Sequence, residues 1–428
     1  MKKIAIIGQG YVGLPLAIEF SKYYPVIGFD NNMNRVDELN NAFDRTREVD
    51  SQHIKDAIEL AEQTNFGKGY KASYDIKSIS DAQIYIVTVP TPIDRYKAPD
   101  LTFLLQASQM VGEIINSGDI IIYESTVYPG CTEEDCIPVL EQHSGLKYNV
   151  DFFVGYSPER IVPGDKVNTL TSIQKVTSGS TTEIAEEIDR LYRTIIRAGT
   201  FKAASIKVAE ASKAIENAQR DVNISFINEL ALIFDRMGID TNDVLAAAET
   251  KFNFLKFKPG LVGGHCISVD PYYLAHKAVE LGYHPNVILS GRRVNDSVAE
   301  FVASKLVKLM IEKDIKIKGA KALILGVAFK ENCADFRNSK VVDVCRELQE
   351  YGLSVEVYDP LVDTEEVRKE YNMNCISKLK VTSQYDAIII TIAHNEFLNL
   401  DFSSIKREKS VVFDLKGCLN KSLVDARL

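Results

Sequence analysis

Residues 3–14, Lys3-Ile-Ala-Ile-Ile-Gly8-Gln-Gly10-Tyr-Val-Gly13-Leu14, decide the fold. Ile4–Ile7 reads as a strand buried on both faces, and Leu14–Lys22 as the helix that follows. Between them Gly8, Gly10 and Gly13 make G-x-G-x-x-G. The first glycine permits a tight turn, the second lets backbone approach a pyrophosphate, and the third lets helix and strand pack closely. The helix N-terminus then offers amides and partial positive charge to the phosphates. About twenty residues on, Asp30 ends the next strand, Val26–Phe29, where a carboxylate would bind ribose hydroxyls and repel a 2′-phosphate. NAD is therefore expected rather than NADP. Arg35, one helical turn further, either flanks the adenosine or is a solvated surface arginine.

The surrounding sequence repeats this strand-helix rhythm. Ile84–Val89, Ile120–Tyr123 and Phe152–Val154 are further strands, and buried strands with intervening helices imply a parallel sheet with right-handed crossovers. Two strand ends point to the same crevice: Val89-Pro-Thr91-Pro92 and Glu124-Ser-Thr126-Val-Tyr-Pro-Gly130. The prolines stiffen the first loop and present the Thr91 hydroxyl, while Thr126 could hold a water or the nicotinamide ribose. Either threonine could instead serve only as a helix cap.

The texture changes near residue 203. Ala203–Met237 contains neither proline nor glycine and carries a helical apolar period, so one long helix is expected to end at Gly238. Lys213, Asn217 and Arg220 stand at i, i+4 and i+7 on one face, either as a solvated stripe or turned toward an anionic, polyhydroxylated ligand. A Pro/Gly-rich loop, Lys258–Asp270, follows and holds Gly-Gly-His265-Cys266. A thiolate there could attack an aldehyde and give a thiohemiacetal, whose oxidation leaves a thioester for hydrolysis. The simpler reading is a small core cysteine. A second alternating block supplies strands at Lys321–Phe329, Ser354–Tyr358, Ala387–Ile392 and Val411–Asp414, with a helix at Val341–Tyr351. It has no glycine fingerprint, so no second NAD is expected. Lys330 and Arg337, with Asp335 to orient the arginine, suit a phosphate.

Composition bounds the alternatives. The chain has 428 residues, 46% hydrophobic and 25% charged, with a net charge of −9. At roughly 150 residues per domain, two or three domains are expected, without a general nucleic-acid surface. No stretch approaches the roughly 18 apolar residues of a membrane span, and the N-terminal apolar run ends in the glycine loop, unlike a signal peptide. Seven scattered cysteines without metal-ligand spacing fit a reducing cytoplasm, and no metal is expected.

The segments GQGYVGLP, VPTP, ESTVYPGCTEE, SPERIVPG, EASKAIENAQRDVNISFINE, PGLVGGHCISVDPYYL and FKENCADFRNS together resemble the UDP-glucose/GDP-mannose dehydrogenase family, nearly end to end and in order. Within it the chain looks most like the bacterial UDP-N-acetylhexosamine branch of capsule and O-antigen synthesis. The resemblance implies an α/β fold: a Rossmann NAD domain over 1–200, a central helical, dimerising and substrate region over 201–314, and a Rossmann-like UDP domain over 315–428. It implies a cytoplasmic homodimer that oxidises carbon six of a UDP-sugar, UDP-N-acetylglucosamine first among the candidates, to the uronic acid with two NAD and one water. By the same resemblance Cys266 is the nucleophile. Lys213 and Asp270 handle protons, Glu159 serves thioester hydrolysis, Thr126 holds the water, and Asn217 contacts the reacting sugar. Tyr11, Val12, Asp30, Arg35, Thr91 and Thr126 join the three glycines at the cofactor. Arg160, Ile161, Lys213, Asn217, Arg220, Phe254, Gly263, Lys330 and Arg337 line the substrate, and Lys251–Lys258 completes a neighbour's site.

Two positions depart from the UDP-glucose branch: Arg160 follows the loop glutamate in place of a phenylalanine, and Val269 precedes Asp270 in place of a lysine. An arginine at 160 could hydrogen-bond an acetamido carbonyl or a sugar hydroxyl. The alternatives are the same chemistry on UDP-N-acetylgalactosamine, the manno epimer or UDP-glucose, a two-electron β-hydroxyacid-type dehydrogenase, and a silent binder of NAD and sugar nucleotide.

Overall fold

The structure, a computed structural model, describes residues 2–161, 168–264, 267–379 and 384–428. The chain forms two compact units, residues 1–216 with 272–283 and residues 217–271 with 284–428.

The first unit runs β1 (Ile4–Ile7), α1 (Gly13–Ser21), β2 (Pro25–Phe29), α2 (Met33–Asn40), α3 (Ser51–Gln63), β3 (Gly69–Ser73), β4 (Ile84–Val87), α4 (Thr102–Gly112), β5 (Ile120–Tyr123), α5 (Ile137–Ser144), β6 (Phe153–Tyr156), β7 (Lys175–Gly179), α6 (Thr182–Arg193) and β8 (Thr200–Lys202). The strand order is β3-β2-β1-β4-β5-β6-β7-β8. The first six strands are parallel, and β7 runs antiparallel to β6. Ile4, Ile6, Ile84, Ile86, Ile120 and Ile122 point into one core with Leu14, Leu16 and Phe20 of α1. Branched residues on both strand faces make this a sheet covered on both sides.

Then come α7 (Ile206–Met237), α8 (Thr241–Ala248), α9 (Asp270–Glu280) and α10 (Asn286–Glu312). Helix α7 begins three residues later than its periodicity suggests. The Ser205 hydroxyl accepts from the Val208 amide and caps it there. It stops where expected: Gly238 takes φ +68° and the Ile239 amide donates to the Phe234 carbonyl.

The second unit's sheet comprises β9 (Lys321–Leu325), β10 (Ser354–Tyr358), β11 (Cys375–Ile376), β12 (Tyr385–Ile390), β13 (Lys406–Asp414) and β14 (Ala426–Arg427). With α11 (Val341–Glu350), α12 (Thr364–Tyr371), α13 (Asn395–Leu398) and α14 (Phe402–Ile405), it builds the order β11-β10-β9-β12-β13-β14, parallel throughout. Val298, Val302, Leu306 and Met310 of α10 pack with Ala322 and Ile324 of β9 and Ile389 of β12 in its main core. β9 ends at Leu325, short of the expected Phe329, because Gly326 turns the chain with φ +96°.

Candidate functional site

The turn after β1 is built as its glycines require. Gly8 sits at φ +92° and donates to the Phe29 carbonyl at 2.8 Å. A Cβ on Gly10 would meet nothing within 4 Å, so backbone is open to a ligand there. A Cβ on Gly13 would lie 1.9 Å from the Gly8 carbonyl oxygen. No side chain caps α1, which leaves its N-terminus to an anion. Asp30 accepts from the Gln9 amide through Oδ2 and the Asn32 amide through Oδ1, both at 2.9 Å. Beside this strand end an open groove is lined by Val36, Asp37, Asn40, Ser73 and Tyr74. A bare backbone cradle, an uncapped helix and a carboxylate at the second strand end fit NAD. Tyr11 and Val12, both half-buried, lead into the helix.

Arg35 is neither solvated nor loosely placed. It is 5% exposed, its Nε donates to the Gln9 carbonyl at 2.8 Å, and its guanidinium pairs with Asp44 at 2.7 Å. Burial works against the Asp44 charge, but bonds from Thr46 and Arg35 outweigh it and hold that carboxyl below the usual range. Gln9 is fully buried between the Ile6 carbonyl and the Tyr70 hydroxyl. Arg35 thus clamps the glycine turn from behind.

The two neighbouring loops are tied together. The Thr91 hydroxyl donates to the Thr126 carbonyl at 2.7 Å and the Ser125 hydroxyl to the Val89 carbonyl at 2.6 Å. The Glu210 carboxylate, on α7, accepts from the Gly130 and Thr132 amides at 2.6 and 2.9 Å, and burial pushes its carboxyl up to about 7.

Glu159 lies three residues beyond β6 and is largely buried. Its Oε1 accepts from the Arg160 and Ile161 amides at 2.6 and 2.5 Å, and its Oε2 faces Lys175 Nζ at 3.4 Å. Arg160 is committed elsewhere: two of its nitrogens meet Glu216 on α7, at 2.7 and 3.3 Å, and a third donates to the Gln174 carbonyl. Ile161 is half-buried.

On α7 the expected stripe divides. Lys213 and Asn217 are buried at 8% and 7% exposure, whereas Arg220 is exposed. Among the described residues the Lys213 ammonium has neither ion pair nor hydrogen bond. A buried charge in that condition is costly. Asn217 donates to the carboxylate of Asp270, the first residue of α9, at 2.5 Å. His265 and Cys266 lie outside the described residues.

The strand of chain leading to Cys266 is anchored on both sides. Asn228 of α7 exchanges two hydrogen bonds with Gly260, at 2.8 and 3.0 Å. Gly264 donates to the Asn338 carbonyl at 3.0 Å, and a Cβ on Gly263 would come within 2.6 Å of the same oxygen. Phe254 is half-buried. Beyond β9, Lys330 stands over the Phe329 ring at 5.5 Å, and Asp335 grips Arg337 through both carboxylate oxygens at 2.9 and 2.6 Å. Asp335 therefore does orient the arginine.

Comparison with known proteins agrees with this arrangement. Residues 2–196 match the NAD binding domain of the UDP-glucose/GDP-mannose dehydrogenase family, residues 207–297 its central domain, and residues 323–421 its UDP binding domain. The chain belongs to this family. It is an NAD-dependent dehydrogenase that acts on a UDP-sugar. It is 54% identical to a UDP-N-acetyl-D-glucosamine 6-dehydrogenase of Pseudomonas aeruginosa, over 100% of this chain and 99% of that one. It is 53% identical to the enzyme of the same name from Salmonella typhi, over 100% and 98%. A solved UDP-D-ManNAc dehydrogenase from Pyrococcus horikoshii superposes with a TM-score of 0.86 at 29% identity, covering 99% and 98% of the two chains.

Sequence reasoning missed Glu124, Lys175, Tyr192 and Glu210, all buried and polar. Glu124 was visible as a carboxylate at a strand end. Lys175 and Tyr192 carry no local signal, since only the fold brings them to it.

Proposed function

We propose that the protein oxidises carbon six of UDP-N-acetyl-D-glucosamine twice, to the uronic acid, for surface polysaccharide synthesis. Identity of 54% over the full length to an enzyme of that name carries this reading. Residues 1–200 hold NAD, 201–314 carry the reacting sugar, and 315–428 hold the UDP. NAD, when bound, supplies the hydride acceptor for both oxidations.

The chain's own residues do the rest. Asp270, fixed by Asn217, takes up the proton of the sugar alcohol, and the Lys213 ammonium stabilises the oxyanion that develops. The Cys266 thiolate adds to the resulting aldehyde, and the oxidised adduct is a thioester. Water then forms the new C–O bond, the C–S bond breaks, and the thiolate is restored, with Glu159 serving that water and Thr126 holding it. Lys330 and Arg337 bind the diphosphate end. A cytoplasmic homodimer, joined through the central helices, completes the reading. No helix among the described residues is long and apolar enough to cross a membrane.

The deciding experiment measures NADH formed per limiting UDP-N-acetylglucosamine, with the product's mass and charge. A ratio of two with a uronic acid is expected. A ratio of one would mean released aldehyde and would remove Cys266 from its role, and no NADH would leave the choice to the galacto and manno sugars and UDP-glucose. Cys266→Ser should stall the second oxidation. Arg160→Phe tests selectivity: loss on N-acetylated sugars alone assigns Arg160 to the acetamido group, while equal loss on UDP-glucose assigns it to holding Glu216.

A further inference from the structure

Under the carboxyl edge of the first sheet Glu159 belongs to a buried cluster whose other members have no part in the reaction steps above. Glu124 follows β5, Glu159 follows β6, Lys175 opens β7 and Tyr192 projects from α6. Lys175 and Glu124 are at least 97% buried, and Tyr192 is fully so. Lys175 Nζ sits 2.7 Å from Glu124 Oε2 and 3.4 Å from Glu159 Oε2. The Tyr192 hydroxyl donates to the other oxygen of Glu124, and its ring lies beneath the ammonium at 5.4 Å. Asp189, on the same helix, is engaged by Thr177 and Arg193 instead. One ammonium thus serves two carboxylates, and fully ionised the set carries a net negative charge with little water to screen it.

We propose that Lys175 and Glu124 are positioning residues for Glu159, and that protonation of Glu124 decides how much of the Lys175 charge falls on Glu159. The proposal rests on the reading that Glu159 serves the water that opens the thioester. When Glu124 is ionised it takes the shorter contact with Lys175, and the facing oxygen of Glu159 stays open to the water. When Glu124 is protonated, the Lys175 ammonium turns to Glu159 and occupies that oxygen. Burial, together with the Glu159 charge and against the pull of Lys175 and Tyr192, pushes the Glu124 carboxyl up to about 7, while the two glutamates hold Lys175 charged. A proton taken up by so coupled a set belongs to the set. The consequence is a thioester hydrolysis that accelerates as pH rises through neutrality.

The test compares wild type with Glu124→Gln, Lys175→Met and Lys175→Arg by following thioester hydrolysis against pH and acylated Cys266 by intact mass. Wild type should show a rise centred near 7, and Glu124→Gln should lack it. Lys175→Met should slow hydrolysis roughly a hundredfold, the scale of a misplaced reacting group, so that acylated enzyme accumulates, and Lys175→Arg should restore most of the rate. A retained rise in Glu124→Gln, or unchanged hydrolysis in Lys175→Met, overturns the proposal. If Lys175→Met does not fold, the isosteric Glu124→Gln carries the test alone. Infrared spectra of the ligand-free protein separate this from failure of the functional reading. The protonated carboxyl band that disappears near 7 should lose about half its intensity in Glu124→Gln, Glu210 supplying the rest, which supports the cluster even if no UDP-sugar is oxidised, and an undiminished band in that variant overturns it.

Discussion

The second sheet repeats the order of the first sheet's six parallel strands and its first turn, yet only one turn is open. Gly8 and Gly326 stand at φ +92° and +96° and donate to Phe29 and Tyr358 at 2.8 and 2.9 Å. Thr88 and Thr391 each donate a hydroxyl to two carbonyls of the corresponding strand end, Ile7 and Gly8 in one case, Leu325 and Gly326 in the other. Asp30 accepts from the amide after Gly8, and Asp359 from the amide after Gly326. The sheets part company at the next positions, where Gly10 and Gly13 are matched by Ala328 and Glu331. No helix starts there, and Asp359, fully buried, spends its oxygens on the Val327, Ala328 and Leu361 amides and on His394. The same turn therefore makes a cofactor cradle in one unit and a self-satisfied loop in the other. Two glycines and the exposure of one aspartate separate them.

The largest way to break this contrast is Gly13→Val. With a Cβ 1.9 Å from a carbonyl oxygen, the turn and helix must separate. NADH binding followed by fluorescence should fall below detection, with a stability loss of about 3 kcal/mol. Titration of wild type should give one NADH per chain, and two would show that the second turn is open after all.

His394→Leu comes next. The Asn332 amide donates to His394 Nδ1 at 2.8 Å, and the other ring nitrogen meets Asp359, so the change leaves a buried carboxylate without this partner. Urea unfolding should report a loss of about 3 kcal/mol. Asp30→Asn, in the open turn, should instead weaken NAD roughly tenfold through a charge-assisted bond to the ribose and change stability little.

The pH responses of the β5–β7 region and of the second unit's turn at Asp359 should be opposite. Burial raises the Glu124 and Glu210 carboxyls to about 7, so the folded state binds protons that the unfolded chain releases. Their contribution is fully present below the unfolded value of 4.5 and is lost as pH rises through about 7. Asp359 is the reverse. Burial opposes its charge, but His394 and the amides win and hold it below 3.8, so its contribution is present above that value and is lost as pH falls through the lowered one. Hydrogen exchange corrected for intrinsic rate should show β5–β7 loosening first in mild alkali and β9–β12 in acid. Loosening of both together in mild alkali would refute the assignment.

The smallest effect expected is from Arg35→Lys. A lysine keeps the charge but cannot bond Gln9 and Asp44 through a planar fork. The NAD KM should rise by roughly threefold, half a decade of binding free energy.

Much of this was legible from local pattern. The glycine fingerprint, the second-strand aspartate, the stop of α7 at Gly238 and the alternation of the second block are all short-range signals, readable because turn and helix chemistry depend on a few neighbouring residues. β7 was not legible. Its sequence, Lys-Val-Thr-Ser-Gly, looks like a surface segment, yet Lys175, Thr177 and Ser178 are buried because Glu124, Asp189 and the Tyr156 carbonyl meet them there. The short edge strands β11 and β14 leave no periodicity to read.

From its sequence alone the protein is determined as a two-sheet α/β chain with one NAD cradle, because glycines at fixed spacing allow few other backbones. Tertiary structure alone decided that Arg35 faces Asp44, that Arg160 faces Glu216, and that Lys175 stands between two glutamates. Those pairings join residues from 9 to 56 positions apart, and the sign and burial of a partner that distant are set only when strands from different parts of the chain come to lie side by side.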